Sequence, residues 1–514
     1  MRLWLDPIFS VLNRRPWWQI VAITGLLQFG FGLIFLGSVP RLFNDEAWEA
    51  SLGHSLAFEG KIRTQVMTGC GGMDIALLQN RIILPLVCGV IFKWIGFSIS
   101  AARLGSVIFS VVALCFTCMV MRRWFGRWQA VCVGGLTILN PWFFDIGRRT
   151  RPEIYYLAMA MVGLYFLDLV IENKSRKTSC LAGVFAGLAC LAHPTGCVLI
   201  AAIAAAMLLW NRNPLLISAL PWIAMGLLLT FIPFGVYVLH SSDPPRVGFM
   251  GQMMACRKVA LEQDWIGLIS AEKRRWMLFF KWPIGLPAAL LLGSAWAASW
   301  FGRSNKDKVA AGTLIFFAIA MPFSTSANFA RYLAVLVPFM NATLVRLAER
   351  LWQTTSQGEG GQGGLKKVCI LVICGAYGVA AAGATLMHFP RLHGADFNPV
   401  LERIGAVVGP ESRVYGRTLL WLGRDHYRYG PFFGYDPTLS WEDIYLKVRE
   451  YEFDYAVRSA MNFDSSRSFA IAPKTMPPFR DDPIDHLCKS YGTQVDAFVD
   501  PYFGPFEVYK LEWD

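Results

Sequence analysis

Two adjacent carboxylates in Asn44-Asp45-Glu46-Ala47-Trp48 are the residues of this chain best suited to chemistry. An ionised carboxylate accepts the proton of an attacking hydroxyl, and a neighbouring acid can orient it or contact a cation. The competing reading is a capping turn, because carboxylates favour the amino ends of helices. Other groups suit an anionic substrate. Arg148-Arg149-Thr150-Arg151-Pro152-Glu153 sets guanidinium groups ahead of a proline fitted to a first helical turn, although an interfacial basic cluster has the same form. Asn328-Phe329-Ala330-Arg331-Tyr332 puts an Arg and a phenol at the head of an apolar run. There Arg331 can fork onto phosphate oxygens or simply snorkel, and Tyr332 can donate a hydroxyl or anchor at the interface. His193, before Pro194-Thr195-Gly196, is either a cavity residue or a polar residue at a kink.

These groups need a scaffold, and composition names its class. The chain has 514 residues, 55% of them hydrophobic and 16% charged, against about a quarter charged in a soluble globule. It reads as a polytopic α-helical membrane protein. The net charge of +12 lies in short clusters between apolar runs, as in loops at a membrane surface, which argues against nucleic acid as a partner. Most of the 12 cysteines fall inside apolar runs without metal-ligand spacing. Cys70 and Cys256 fall in polar segments, so a disulfide between two loops stays open.

The run from Trp17 to about Val39 is long enough to span a hydrocarbon core, which takes roughly 20 residues. Arginines before it and acids after it put the amino terminus in the cytoplasm. The acidic pair then sits in a first external loop, residues 40–80. The run 82–97 is short, and counting it as a crossing would place Arg122, Arg123 and Arg127 outside, so it reads as interfacial or re-entrant. Further spans are expected at about 101–121, 129–145, 153–171, 179–193, 195–210, 214–239, 278–301, 309–324, 331–350 and 367–388. That gives about 11 transmembrane helices whose basic turns all face the cytoplasm. Whether His193-Pro194 is an external turn or a kink is open. A second external loop, 240–277, carries Arg246, Arg257, Lys258, Lys273, Arg274 and Arg275 and suits an amphipathic helix on anionic headgroups. A Gly/Gln-rich linker covers about 352–364. The expected division is a transmembrane catalytic domain, 1–389, and a small extracytoplasmic α/β domain, 390–514. In the latter, strand-like pieces at 413–415, 454–457 and 506–509 alternate with helical ones at 398–408 and 441–451.

The acidic pair past the first span, the Arg-x-x-Arg-Pro-Glu opening of a later span and the Arg-Tyr opening of a span near the carboxyl side resemble the GT-C class of membrane glycosyltransferases. The pattern is similar to dolichyl-phosphate-mannose protein mannosyltransferases and bacterial lipid A aminoarabinose transferases, over roughly residues 10–390. The resemblance implies inverting transfer of a sugar from a polyprenyl-phosphate donor to a glycolipid, envelope glycan or protein acceptor. The setting would be a bacterial inner membrane, with the active site periplasmic and membrane lipids around it. In the implied assignment Asp45 is the catalytic base, and Glu46 supports it or contacts a divalent metal. Arg331 and Tyr332 bind the donor phosphate, and Arg148, Arg151, Glu153 and His193 line the cavity. The chain lacks the extended lumenal-module signature of the mannosyltransferases and a clear counterpart of the aminoarabinose enzyme's substrate-carboxylate contacts, so sugar and acceptor stay open. A lipid-linked glycan polymerase or ligase concentrates its charges in one large central loop, and a transporter or flippase places them mid-membrane. Here the key acids lie in the first loop and few charges fall mid-span, with Asp145 and Asp168 close to span ends, so these stay the alternative readings, the transporter the weaker.

Overall fold

The computed structural model describes residues 15–66, 72–173, 175–210, 214–241, 252, 265–281, 286–302, 304–323, 330–357, 362–430, 441–459 and 483–513. Cys70 and Cys256, Arg246, Arg257, Lys258, the Asn328-Phe329 pair and residues 358–361 of the linker lie outside them.

The described residues before 390 are mainly helical. The elements are α1 (Trp17–Leu33), α2 (Asn44–Glu59), α3 (Ile83–Ile95), α4 (Ile99–Phe125), α5 (Arg127–Ile138), α6 (Pro141–Ile146), α7 (Glu153–Asn173) and α8 (Arg176–Ala192). They continue as α9 (Pro194–Trp210), α10 (Pro214–Ser241), α11 (Trp265–Lys281), α12 (Leu286–Trp300) and α13 (Asn305–Ala320). A 3-10 segment, Ala330–Leu336, runs into α14 (Val337–Gln357), and α15 (Gln362–Leu386) follows. Helices of this kind satisfy every backbone group internally, which lipid demands. Leu26, Leu228, Leu239 and Val379 are exposed on their outer surfaces. Five described helices are long and apolar enough to cross a membrane: Ile99–Phe125, Glu153–Asn173, Pro214–Ser241, Ala330–Gln353 and Val372–Pro390. The shorter apolar helices Trp17–Leu33, Ile83–Ile95 and Pro194–Trp210 accompany them, and the protein is a multi-pass membrane protein.

Several boundaries differ from the sequence expectation, each for a local reason. The loop 40–80 contains the 16-residue helix α2. Its small residues let it lie tightly on α3, and a Cβ on Gly53 would fall 2.5 Å from that of Cys88. The expected span 129–145 is two helices, because Asn140 accepts from the backbone N–H of Trp142 at 2.9 Å and Phe143 at 3.3 Å and restarts the chain at Pro141. The expected span 278–301 begins at Leu286, its first residues belonging to α11. His193 is fully extended (φ −168, ψ 149), so His193-Pro194 is a turn between two helices. At 13 residues, α3 is about 20 Å long, too short for a hydrocarbon core of about 30 Å.

The carboxyl-terminal part holds a mixed sheet in the order β2-β1-β3-β5-β4. Its strands are β1 (Arg413–Gly416), β2 (Arg428–Tyr429), β3 (Tyr455–Ser459), β4 (Gly492–Asp500) and β5 (Gly504–Leu511). β1 runs parallel to β2 and β3, and β5 pairs antiparallel with β3 and β4. Helices Asn398–Val408 and Trp441–Glu450 fall where the sequence places them. Trp421, between β1 and β2, joins this unit to the membrane helices. Its ring stands edge-on to His54 at 5.6 Å and to Phe97 at 5.4 Å, its indole N–H donates to Gln65 at 3.0 Å, and Arg424 lies over it at 4.5 Å.

Helices α8 and α10 meet through glycines. A side chain at Gly183 would run into the backbone of Ile223, and one at Gly226 into that of Cys180. Such small-residue seams let membrane helices pack at backbone distance. Gly226→Val should therefore lower the thermal unfolding temperature in detergent by several degrees, whereas Gly235→Val, where a side chain meets open space, should leave it unchanged.

Candidate active site

The amino end of α2 is built around Glu46. Its carboxylate accepts from the Phe43 backbone N–H at 3.1 Å, satisfying one donor at the start of the helix. Arg103, from near the amino end of α4, forks onto both of its oxygens at 2.8 Å. The Thr150 backbone N–H donates at 3.1 Å and Arg149 at 3.4 Å. Burial pushes the Glu46 carboxyl up, but Arg103, Arg149 and the Thr150 N–H outweigh it and hold the group below the ordinary glutamate range. A carboxylate so enclosed does not fit a divalent ion, because two guanidinium groups occupy its oxygens. Among the described residues no group of three His, Cys, Asp or Glu could hold a metal.

Asp45, one residue earlier, pairs with Arg151, whose guanidinium also forks onto Glu153 at 2.8 and 3.2 Å. Burial opposes the charge of Arg151, and Glu153 and Asp45 together raise it well above the usual arginine value. Arg149 donates to Asp145 at 2.6 Å, and Asp145 holds Arg331 at 3.3 Å. The Phe43 ring lies among these cations, with Arg331, Arg149 and Arg151 at 3.9, 5.8 and 5.9 Å from its centre. The structure thus brings Asp45, Glu46, Arg151, Glu153 and Arg331 into one cluster. Tyr332 is buried beside it, its ring 5.8 Å from His193, which stacks on Tyr156 at 6.0 Å. Arg148 is elsewhere. It donates to the carbonyls of Phe31 at 3.3 Å and Ile34, at the end of α1, and lies over Phe144 and Phe389. That is a helix-capping cation rather than a cavity-lining one, and burial lowers it to about 9, with Arg103 adding to the effect.

Exposure separates the acids. The Asp45 side chain is 24% exposed, whereas Glu46 is 3% and Glu49, Asp145 and Glu153 are 0% exposed. One carboxylate opens outward and the others hold the frame. With Arg148 set apart, the guanidinium groups of Arg81, Arg103, Arg149, Arg151 and Arg331 equal these five carboxylates in number, so the fully ionised cluster is balanced in charge.

Glu49 and Arg81 escaped the sequence reading. Glu49 ion-pairs with Arg81, which lies 4.2 Å from the Trp48 ring. The signal for Glu49 was its place four residues after Asp45, hence on the same helical face. Arg103 was legible as an arginine inside an apolar run, which membrane energetics makes expensive without a partner. In α11, Arg275 is buried and paired with Glu272 while Lys273 and Arg274 are exposed, so this helix turns one of its basic residues inward.

Comparison with known proteins gives the class first. The family described as dolichyl-phosphate-mannose-protein mannosyltransferase matches residues 82–237. The chain has the fold of the GT-C-type glycosyltransferases, as its motifs resembled. Among solved structures it is similar to ArnT from Cupriavidus metallidurans bound to undecaprenyl phosphate: 14% identity, TM-score 0.60, 96% of this chain and 97% of that one. It is also similar to the Archaeoglobus fulgidus oligosaccharyltransferase tethered with an acceptor peptide: 12% identity, TM-score 0.52, 97% of this chain and 74% of that one. The archaeal enzyme AglB in complex with an inhibitory peptide and a dolichol-phosphate matches at 11% identity, TM-score 0.52, over 96% and 74%. No curated protein matches the chain by sequence.

Because Glu46 neutralises Arg103 and Arg149, Glu46→Ala should destabilise the protein by about 3–5 kcal/mol. Asp45→Asn leaves Arg151 its Glu153 partner and should cost far less. Thermal unfolding of the two variants in detergent measures the difference.

Proposed function

We propose that this protein is an inverting glycosyltransferase that moves a sugar from a polyprenyl-phosphate donor to a hydroxyl acceptor. The observation that carries the reading is Asp45, the one carboxylate of the described cluster that opens outward, held by Arg151 beside a buried network of guanidinium groups. The acceptor hydroxyl gives its proton to the carboxylate side of the site as it attacks the sugar carbon. The leaving group is a lipid phosphate, already an anion, so fixed cations matter more than a general acid.

In this reading Asp45 is the base, and Arg151, held by Glu153, orients it. Glu46 positions both through the start of α2. Tyr332 and Arg81 face the donor phosphate. Arg331 is enclosed and tied to Asp145, so it supports that wall rather than clamping the phosphate. His193 lines the same cavity through its stack on Tyr332 and Tyr156, and Arg148 fixes the end of α1. The ArnT structure holds undecaprenyl phosphate and the AglB structure holds dolichol-phosphate, which supports a lipid-phosphate donor here. About eleven crossings, a cytoplasmic amino terminus and a periplasmic site in a bacterial inner membrane complete the proposal. The likeness to an oligosaccharyltransferase favours, as a second reading, transfer of an assembled glycan from its lipid carrier.

The test is mass spectrometry of envelope glycolipids, glycans and glycoproteins from a deletion strain. One sugar-bearing product should vanish, and its mass tells a single sugar from a glycan block. The wild-type gene should restore it. Asp45→Asn, at equal membrane abundance, should lower its rate of formation by about 100-fold or more, and full restoration by that variant would remove Asp45 as the base.

A further inference from the structure

Glu49 is a second carboxyl group at the site that the proposed transfer does not yet use. It stands one helical turn beyond Asp45, so the two acids share a face with about 5–6 Å between Cβ atoms, a gap that one water bridges. Its Oε1 is paired with Arg81, while Oε2 is buried and has no hydrogen-bond partner among the described residues. Arg81 therefore divides its charge between Glu49 and the Trp48 ring.

We propose that Glu49 stores the proton released from the acceptor hydroxyl, and that Arg81, freed from the neutral carboxyl, holds the phosphate left on the lipid. This rests on the lipid-phosphate reading above. The step balances. The acceptor oxygen bonds to the sugar carbon as the bond from that carbon to the phosphate oxygen breaks. The electron pair stays on the phosphate, which passes from a monoanionic diester to a dianionic monoester. The acceptor proton moves by way of Asp45 to Oε2 of Glu49. The site thus gains a negative charge on the ligand and loses one on the protein.

The surroundings suit that exchange. Burial drives the Glu49 carboxyl up to about 7; Arg81 and Arg151 pull it down, and Asp45 and Glu153 push it up. Cys88 of α3 also feels its charge, and it keeps its proton near neutral pH because burial raises it. Glu49 is thus the group facing this pocket that exchanges a proton near neutral pH at small cost.

The test uses the full-length protein in detergent and undecaprenyl phosphate as probe. Calorimetric titration at pH 7.5 in buffers of different ionisation enthalpy counts protons taken up on binding. The wild type should take up roughly half a proton more than Glu49→Gln, whose amide can still meet Arg81. Equal uptake by two proteins that both bind would overturn the role of Glu49 and leave the donor reading intact. Absence of binding to the wild type would overturn that reading and this inference with it. Infrared difference spectra of the wild type alone, with and without the probe, should gain a protonated carboxyl band. Its absence counts against the proposal even where Glu49→Gln fails to fold.

Discussion

Everything at the candidate site hangs on the pairing of Glu46 with Arg103. The two side chains come from elements 57 residues apart in sequence, and they meet at 2.8 Å in a dry interior. A charge pair in such a place is weak evidence of net stability, since two ions have been taken out of water. Its value is in specification. Either charge alone would be very costly, so α2 can sit on α4 in only one register. That register leaves Asp45 partly exposed and brings the Thr150 N–H, and with it the Arg148–Glu153 turn, into contact.

From this first pair the other charges follow as a chain. Arg149 touches both Glu46 and Asp145, and Asp145 reaches Arg331 on the far wall. Phe43 provides the ring on which three guanidinium groups converge. In a low-dielectric surround such a chain is rigid, because moving one member leaves its neighbour unpaired. Preorganised charge of this kind needs no reorientation when negative charge develops on a leaving group, which is where electrostatic catalysis gains most.

Much of this was legible in the sequence. The acidic pair, the Arg-Pro-Glu turn and the Arg-Tyr opening do converge, because each sits at the end of an apolar segment and segment ends meet at the membrane surface. The strands at 413–416 and 504–511 and the helix at 398–408 follow from period and turn signals. What stayed hidden depended on distance rather than type. Glu49 and Arg81 read as ordinary loop charges until folding buried them together, and Arg148 is marked as a cap only by the end of α1. Asn140 broke an expected span because one polar side chain turned back onto the two N–H groups after it, which hydropathy averaging cannot register.

The contact of Trp421 with His54 has a mechanical meaning. α2 has 16 residues and so is about 24 Å long, with Asp45 at one end and His54 toward the other. It is a lever resting on α3 at Gly53, with the carboxyl-terminal sheet pressing on its outer arm through an indole. Asp45 lies about 12 Å from Gly53, so a tilt of about 4° would move its carboxylate by roughly 0.8 Å, and a shift of that size at a reacting group changes rates by about a hundredfold. Among the described residues the carboxyl-terminal unit brings no reactive group to the site, yet through this arm it bears on the aim of the one that is there.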